Sequence, residues 1–178
     1  MVKKLIPLSE VYRLLEPGPV VLVTTCFKNE TNVMAMSWHM MIDFVPPLVG
    51  CVMSDQNYSY RLLESSGECV LNIPTVELIH TVVGVGNCSG ETCNKFEKFH
   101  LTQEPASQVK APLLKECYVN LECKVIDTSL VKKYGLFILE VVKGWVRTTR
   151  KRPLTIHHCG KGNFVVDGKM MKLPSEKL

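Results

Sequence analysis

Asn32 to Ser59 reads NVMAMSWHMMIDFVPPLVGCVMSDQNYS, and the rest of the chain is organised around it. Val33, Ala35 and Ser37 alternate with Met34, Met36 and Trp38, the period of a strand with two distinguishable faces. Pro46-Pro47 stops one element and sets the entry to the next. Leu48 to Met53 is a short Val/Leu-rich run of the kind a buried strand uses. Ser54, Asp55, Asn57 and Ser59 then offer N-caps to a helix over Tyr60 to Ser65, with Leu62 and Leu63 facing a core and Gly67 as its C-cap. The stretch therefore predicts strand, tight loop, strand and helix start, with an apolar pocket bordered by polar donors. Unpaired N–H groups at a helix start, reinforced by the dipole, favour a phosphate. A planar aromatic cofactor carrying a phosphate fits this pattern. The same Ser/Asn cluster also suits plain capping of a surface helix, and a strand Trp also suits a core or a subunit interface.

Working outward, Ser9 to Leu15 reads as a short helix broken by Pro17-Gly18-Pro19. Val20 to Phe27 is a β-branched strand, and Lys28 to Thr31 is a hairpin-length turn into the Asn32 strand. Glu68 to Ile73 is another strand, followed by a helix over Thr75 to Val83 that ends at Gly84 to Asn87. Thr92 to Phe99 is a short helix and Gln103 to Lys110 a polar loop. In Tyr118 to Ile126, apolar Val119, Leu121, Cys123 and Val125 alternate with Asn120, Glu122 and Lys124, which predicts a half-buried strand. Leu136 to Val146 is a long strand kinked near Gly144, and the tail from His157 forms a glycine-rich turn and hairpin. Strands follow one another without regular crossover helices. That argues against a doubly wound parallel sheet and for a mainly β, antiparallel barrel with inserted helices.

Length and composition suit one globular domain over 1–178, with no apolar run long enough to span a membrane. The N-terminal MVKKLIPLSEVYRLL lacks the pattern of a signal peptide, so a cytoplasmic location is expected. Eight cysteines in such a chain are read mostly as reduced and packed; Cys26, Cys51, Cys69 and Cys123 fall inside strand-like runs. The net charge of +4 is mild, and its one basic run, Arg147, Arg150, Lys151 and Arg152, is short and without interleaved aromatics. It reads as a solvated loop, so neither a nucleic-acid nor a membrane partner is expected.

No nucleophile elbow accompanies His39, His80, His100, His157 or His158, and Gly84-Val85-Gly86 follows a helix instead of opening one, so it is not a dinucleotide fingerprint. Cys88 and Cys93 lack the spacing of a zinc-finger pair; a Cys/His metal site with His157, His158 and Cys159, or a Cys88–Cys93 redox pair, remains as an alternative. Lys95, on a short helix after Ser89-Gly90, suits either a solvated surface or a flavin site, where it would stabilise the anionic reduced ring.

Several pieces, in order, resemble the flavin reductase-like, FMN-binding split-barrel family, most closely its flavoredoxin branch. They are PGPVVLVTT from Pro17, TNVMAMSWHMMIDFVPPLV from Thr31, ECVLNIP from Glu68, VGVGNCSGETCNKFEKFHLT from Val83, VKAPLLKECYVNLECKV from Val109, and HHCGKGNFVVDGK from His157. The resemblance implies a Greek-key split barrel, a homodimer, and FMN at the dimer interface. It implies that Asn32, Met36, Ser37 and Trp38 line the ring and ribityl side. It places Ser54, Asn57, Tyr58 and Ser59 at the phosphate and ribityl chain, Lys95 and Phe164 near the ring, and Asn72 close to the flavin. Tyr134 stands where related chains often carry His, and Arg61 is the sole arginine near the phosphate stretch. The function implied is an FMN redox protein, taking electrons from NAD(P)H or a redox protein and passing them to an acceptor. The alternative is a non-catalytic barrel that carries flavin or a metal.

Overall fold

Only two residues, Ser37 and Trp38, join the strands that end an eight-stranded antiparallel sheet. A computed structural model describes residues 3–11, 18–149 and 151–174. Its main strands are β1 (Lys3–Leu5), β2 (Val21–Phe27), β3 (Glu30–Met36), β4 (His39–Phe44), β5 (Pro47–Val52), β6 (Glu68–Ile73), β9 (Val119–Asp127) and β10 (Leu136–Arg147). Spatial order is β3-β2-β6-β9-β10-β5-β4, with β1 added to β10. Small hairpins are made by β7 (Gln103–Glu104) with β8 (Leu113–Leu114), and by β11 (Ile156–His158) with β12 (Phe164–Val166). The helices are α1 (Tyr58–Ser66), α2 (Ile79–Gly86), α3 (Lys95–Lys98) and α4 (Val131–Tyr134).

Strand alternation explains the curl. Val21, Leu71, Leu121 and Leu139 meet Val49 and Cys51 of β5 and Met36 of β3 in one buried cluster, so the two ends of the sheet share a core. Yet β3 pairs only with β2 and β4 only with β5, which leaves a seam between them. The architecture is an antiparallel Greek-key split barrel, as expected. α1 adds Tyr60 and Leu63 to the barrel core and ends at Gly67, in the left-handed conformation expected of a C-cap. On the outer face, Leu22, Val33 and Ala35 pack against Val82 and Val85 of α2 and Phe96 of α3.

Three expectations change. His39–Phe44 is a strand in its own right, between β3 and the turn at the cis Val45–Pro46 bond. β9 is not half-buried: Asn120 and Glu122 on its outer face are fully buried, because residues 106–114 cross over it. β10 carries two register shifts against β9 where one kink near Gly144 is expected: between Ile138 and Leu139 and, at a bulge just ahead of Gly144, between Val141 and Lys143. This bulge inserts one residue and re-aims the side chains beyond it. Gly144 then faces inward against Ile6, and Trp145 faces outward toward Glu122. The helix expected over residues 9–15 falls mostly outside the described residues; its start is a 3₁₀ turn at Leu8–Glu10. Arg150 of the basic run is likewise outside them, whereas Arg152 pairs with Asp167 at 3.2 Å.

The buried Glu122 carboxylate is held by Trp145 Nε1 at 2.7 Å, by the amides of Ser107 and Gln108 and by the Ser107 hydroxyl. Glu122→Leu would leave several buried donors without an acceptor, each costing about 1–3 kcal/mol. We expect it to lower the urea midpoint by the equivalent of about 3 kcal/mol or more, and Glu122→Gln by less. Equal midpoints for wild type and Glu122→Leu would show that the carboxylate does not anchor the 106–114 segment.

Candidate functional site

β3 supplies the floor of three adjoining cavities. The largest, about 950 Å³, is walled by Met34, Met36, Trp38, Met53, Tyr60 and Tyr134. A second, about 270 Å³, lies between Ser37, Val82 and Phe164. A third, about 280 Å³, is polar and lined by Asn32, Asn57, Tyr58, Ser59, Gly90 and Lys95. Ala35 borders all three, Ser37 and His158 join the first to the second, and Met34 and Asn57 join the first to the third. Together they form one cleft: a large compartment in which thioethers and rings mix with Asp55, Glu64, Lys132 and Lys133, and a smaller polar end. The large compartment alone falls within the size range of ligand sites, ~300–1,000 Å³.

Local structure sets the polar end. Asn32 is buried and donates from Nδ2 to Ser59 Oγ at 2.9 Å, tying the edge strand to the first turn of α1. Asn57 occupies the N-cap of α1 but its side chain makes no cap bond, so it does not shield the helix's first amides. Tyr58 donates its hydroxyl to Glu30 at 2.6 Å, and this bond pushes the phenol above its ordinary range. Arg61 sits over the Tyr58 ring at 5.2 Å and is ion-paired with Glu91. Gly90 passes so close to the Asn32 amide and the Tyr58 ring that any side chain there would collide with both.

Lys95 is 5% exposed. Its ammonium donates to the Val85 carbonyl at 3.0 Å and, among the described residues, is paired with no carboxylate. Burial pulls its pKa below the ordinary 10.5, while the thiols of Cys88 and Cys93 act in the opposite direction. Asn94 caps α3 by accepting from the Phe96 amide at 3.1 Å, which fixes the turn that aims Lys95 inward.

Of the expected site residues, Asn32, Tyr58, Ser59 and Lys95 meet at the polar end. Met36, Ser37, Trp38 and Ser54 line the large compartment, Asn57 lines both, and Phe164 walls the second cavity. Lys95 borders the small polar cavity and not the large one. Asn72 is the exception. It is fully buried and spends its side chain inside the fold, donating to the Leu22 carbonyl at 2.9 Å and accepting from Leu114 N at 3.0 Å and from Asn120 Nδ2. It lines none of the three cavities.

Sequence reading missed Met53, Tyr60, Lys132, Lys133 and His158 in the cleft wall. The α4 residues reach it because Gly135 takes φ +66° and packs against the Met53 carbonyl, a place with no room for a Cβ. That glycine, after Lys-Lys-Tyr, was the one available signal.

Three comparisons bear on this arrangement. The fold is that of the FMN-binding split-barrel class: an FMN-binding domain of a flavin reductases-like enzyme from Shewanella baltica superposes with a TM-score of 0.90, at 26% identity, over 97% of this chain and 98% of that one. Flavoredoxin of Desulfovibrio vulgaris (Miyazaki F) shares the fold, with a TM-score of 0.79 at 23% identity over 90% and 92% of the two chains. Residues 13–163 match the Flavin reductase like domain, and the chain belongs to that family. Its relatives include YddH of Escherichia coli K12, uncharacterized, at 30% identity over 92% of this chain and 94% of that one. An uncharacterized protein of Archaeoglobus fulgidus is 36% identical over 64% of each chain. Among the described residues no helix is long and apolar enough to cross a membrane, and no group of three or more His, Cys, Asp or Glu is placed to hold a metal.

The lowered Lys95 pKa has a sign. Between that pKa and 10.5 the unfolded chain holds the proton more often than the folded one, so stability from this group rises with pH across that window. Below the window, the penalty for burying the ammonium is fully present. Cofactor-free wild type should therefore gain stability relative to Lys95→Met as pH rises toward 10.5. Urea midpoints that run parallel with pH in the two proteins would show that the ammonium is solvated.

Proposed function

We propose that the cleft binds FMN and that the chain is a redox flavoprotein, taking electrons from NAD(P)H or a redox protein and passing them to an acceptor. The observation that carries this reading is the union of a large compartment, where methionine thioethers and rings stand among polar and charged side chains, with a smaller polar end. That end holds a buried ammonium that, among the described residues, has no carboxylate partner, and an uncapped helix start. A buried cation calls for an anion, and the first amides of α1 supply donors for one. The FMN phosphate and ribityl chain fit there, against Ser59, Asn57, Tyr58 and Lys95. This moves Lys95 from the ring to the phosphate end. Met34, Met36 and Met53 present soft, polarisable thioethers to an aromatic ring in the large compartment, with Ser37 at its edge and Phe164 beyond. FMN, when bound, supplies the two-electron chemistry. The protein's share is to orient the ring, exclude water from its apolar side and hold the phosphate.

We also infer a homodimer. Along β4 Met40 and Ile42 are exposed on the face of Gly50, and Phe44 is exposed beyond the register shift between Met41 and Asp43, as are Trp38 before them and Val45 after. An apolar stripe on an edge strand, beside the seam, calls for a covering surface. A second copy would bury it and shelter Trp38, which is 72% exposed in the single chain.

The purified protein should show two flavin absorption bands after incubation with FMN. Bleaching on anaerobic addition of NADH or NADPH names the donor, and bleaching with dithionite alone indicates a carrier fed by another protein. A protein that stays colourless with excess FMN would sink the flavin reading. Lys95→Met should weaken FMN binding by about ten- to a hundred-fold, the worth of a charge-assisted hydrogen bond of about 1.5–3 kcal/mol. Ile42→Glu should give a monomer by light scattering; a wild-type monomer that still holds FMN would overturn the dimer.

A further inference from the structure

The loop from Asn87 to Asn94, between α2 and α3, walls the polar end of the cleft and carries two thiols that the FMN reading does not use. It folds back on itself: the amides of Thr92 and Cys93 both donate to the Ser89 carbonyl, at 3.3 and 3.2 Å. The Cys93 thiol donates to that same carbonyl at 3.4 Å, which sets it against the residue next to Cys88, near enough for Cys93 to help push the Cys88 thiol up. Both are half-buried; Cys88 lines the polar cavity, and Cys93 lines an adjoining recess that Lys95 also borders. Cys51, Cys69, Cys117 and Cys123 differ, being sealed in the core with at most 1% exposure. Burial pushes the Cys88 thiol up, and Lys95 and Lys98 oppose that push. A thiolate on either sulfur would form beside an ammonium that, among the described residues, has no carboxylate partner.

We propose that Cys88 and Cys93 form a reversible intramolecular disulfide at the wall of the cofactor cleft, with low-molecular-weight disulfides as the oxidant. One cysteine gives up its proton, and its thiolate attacks a sulfur of the small disulfide. That S–S bond breaks, one small thiolate leaves and takes a proton, and a mixed disulfide remains on the protein. The second cysteine, deprotonated in turn, attacks the protein-side sulfur and expels the second small thiolate, which is also protonated. Two protein thiols lose two electrons and two protons, and one small disulfide becomes two thiols. The new bond ties the two ends of the turn that sets Gly90 against Asn32 and Tyr58, so the loop's redox state and occupancy of the polar end are coupled. The coupling, though not the disulfide itself, rests on the FMN reading.

The test starts from the full chain with the exposed Cys159 replaced, Cys159→Ser. Treated with oxidised glutathione, it should lose two hydrogens in intact mass, yield a Cys88–Cys93 cross-linked peptide after proteolysis, and regain the mass with dithiothreitol. Adding Cys88→Ser or Cys93→Ser should abolish the cross-link and leave one glutathione on the remaining partner, with urea midpoints confirming that each variant folds. No mass loss, or a cross-link between other cysteines, overturns the disulfide. No arm so far involves the cofactor, so a failure to bind FMN leaves these outcomes readable. Repeating the glutathione titration with FMN bound, as judged by absorbance, should shift its midpoint several-fold, because binding coupling is reciprocal. An unmoved midpoint overturns the coupling.

Discussion

Everything in this molecule depends on the two-residue link between strands at opposite ends of a sheet. A residue spans at most about 3.3–3.6 Å of extended chain, so Ser37 and Trp38 hold the ends of β3 and β4 within roughly one strand spacing or two. The sheet must curl, and its inward residues must share a core. The two end strands nevertheless do not pair, and each keeps an open edge along the seam. Hydrogen bonding across the seam would close the barrel and occupy the side of β3 along which the cleft runs. The site is thus a consequence of the barrel's incompleteness.

Polar groups inside the molecule fall into two classes, and the difference separates structure from function. Asn72 and Glu122 are fully buried, and their hydrogen-bonding atoms are taken up by fixed partners: backbone of β2 and β8, the amides at 107 and 108, and Trp145. Groups so saturated have nothing left for a ligand. At the polar end of the cleft, saturation is incomplete: Asn57 makes no cap bond, and the Lys95 ammonium has a single carbonyl. An unsatisfied buried donor costs free energy in the empty protein, and a ligand that satisfies it recovers that cost on binding.

The sequence was legible where periodicity and punctuation agree. β2 and β6 are β-branched or apolar runs, and α1 has capping residues before it and Gly67 after; all three fall where expected. It misled where tertiary structure reverses the usual polarity. His39 to Phe44 places Met40 and Ile42 outward and shifts register between Met41 and Asp43, so it lacks the apolar-in alternation of a strand packed on one side. Asn120 and Glu122 alternate like solvent-facing residues, and only the crossing of residues 106–114 buries them. The site was legible along β3 and at the start of α1, where donors and thioethers are contiguous in sequence. Asn72, which the resemblance puts close to the flavin, lines none of the three cavities, and an Asn at the end of a strand looks the same in sequence whether it faces a ligand or a neighbouring amide. Met53 reaches the cleft through strand pairing, Lys132 and Lys133 through the Gly135 turn, and Tyr60 from the first turn of α1.

Trp38 stands where the two inferred roles of the seam meet. It closes the link between β3 and β4, borders the large cavity, and begins the exposed apolar stripe that continues through Met40, Ile42 and Phe44. A partner chain seated on that stripe would add a wall to the large compartment of the cleft. A flat aromatic ligand in the cleft would in turn offer that partner a surface in place of solvent. Each event would remove apolar area that the other would otherwise leave wet, at about 25 cal/mol per Å². If both occur, they are linked by the same side chains, and ligand affinity would depend on protein concentration wherever the dimer is incomplete. The seam that keeps the barrel from closing on itself leaves a single strand edge open to both, because neither a cofactor nor a partner could reach β3 and β4 if they were paired.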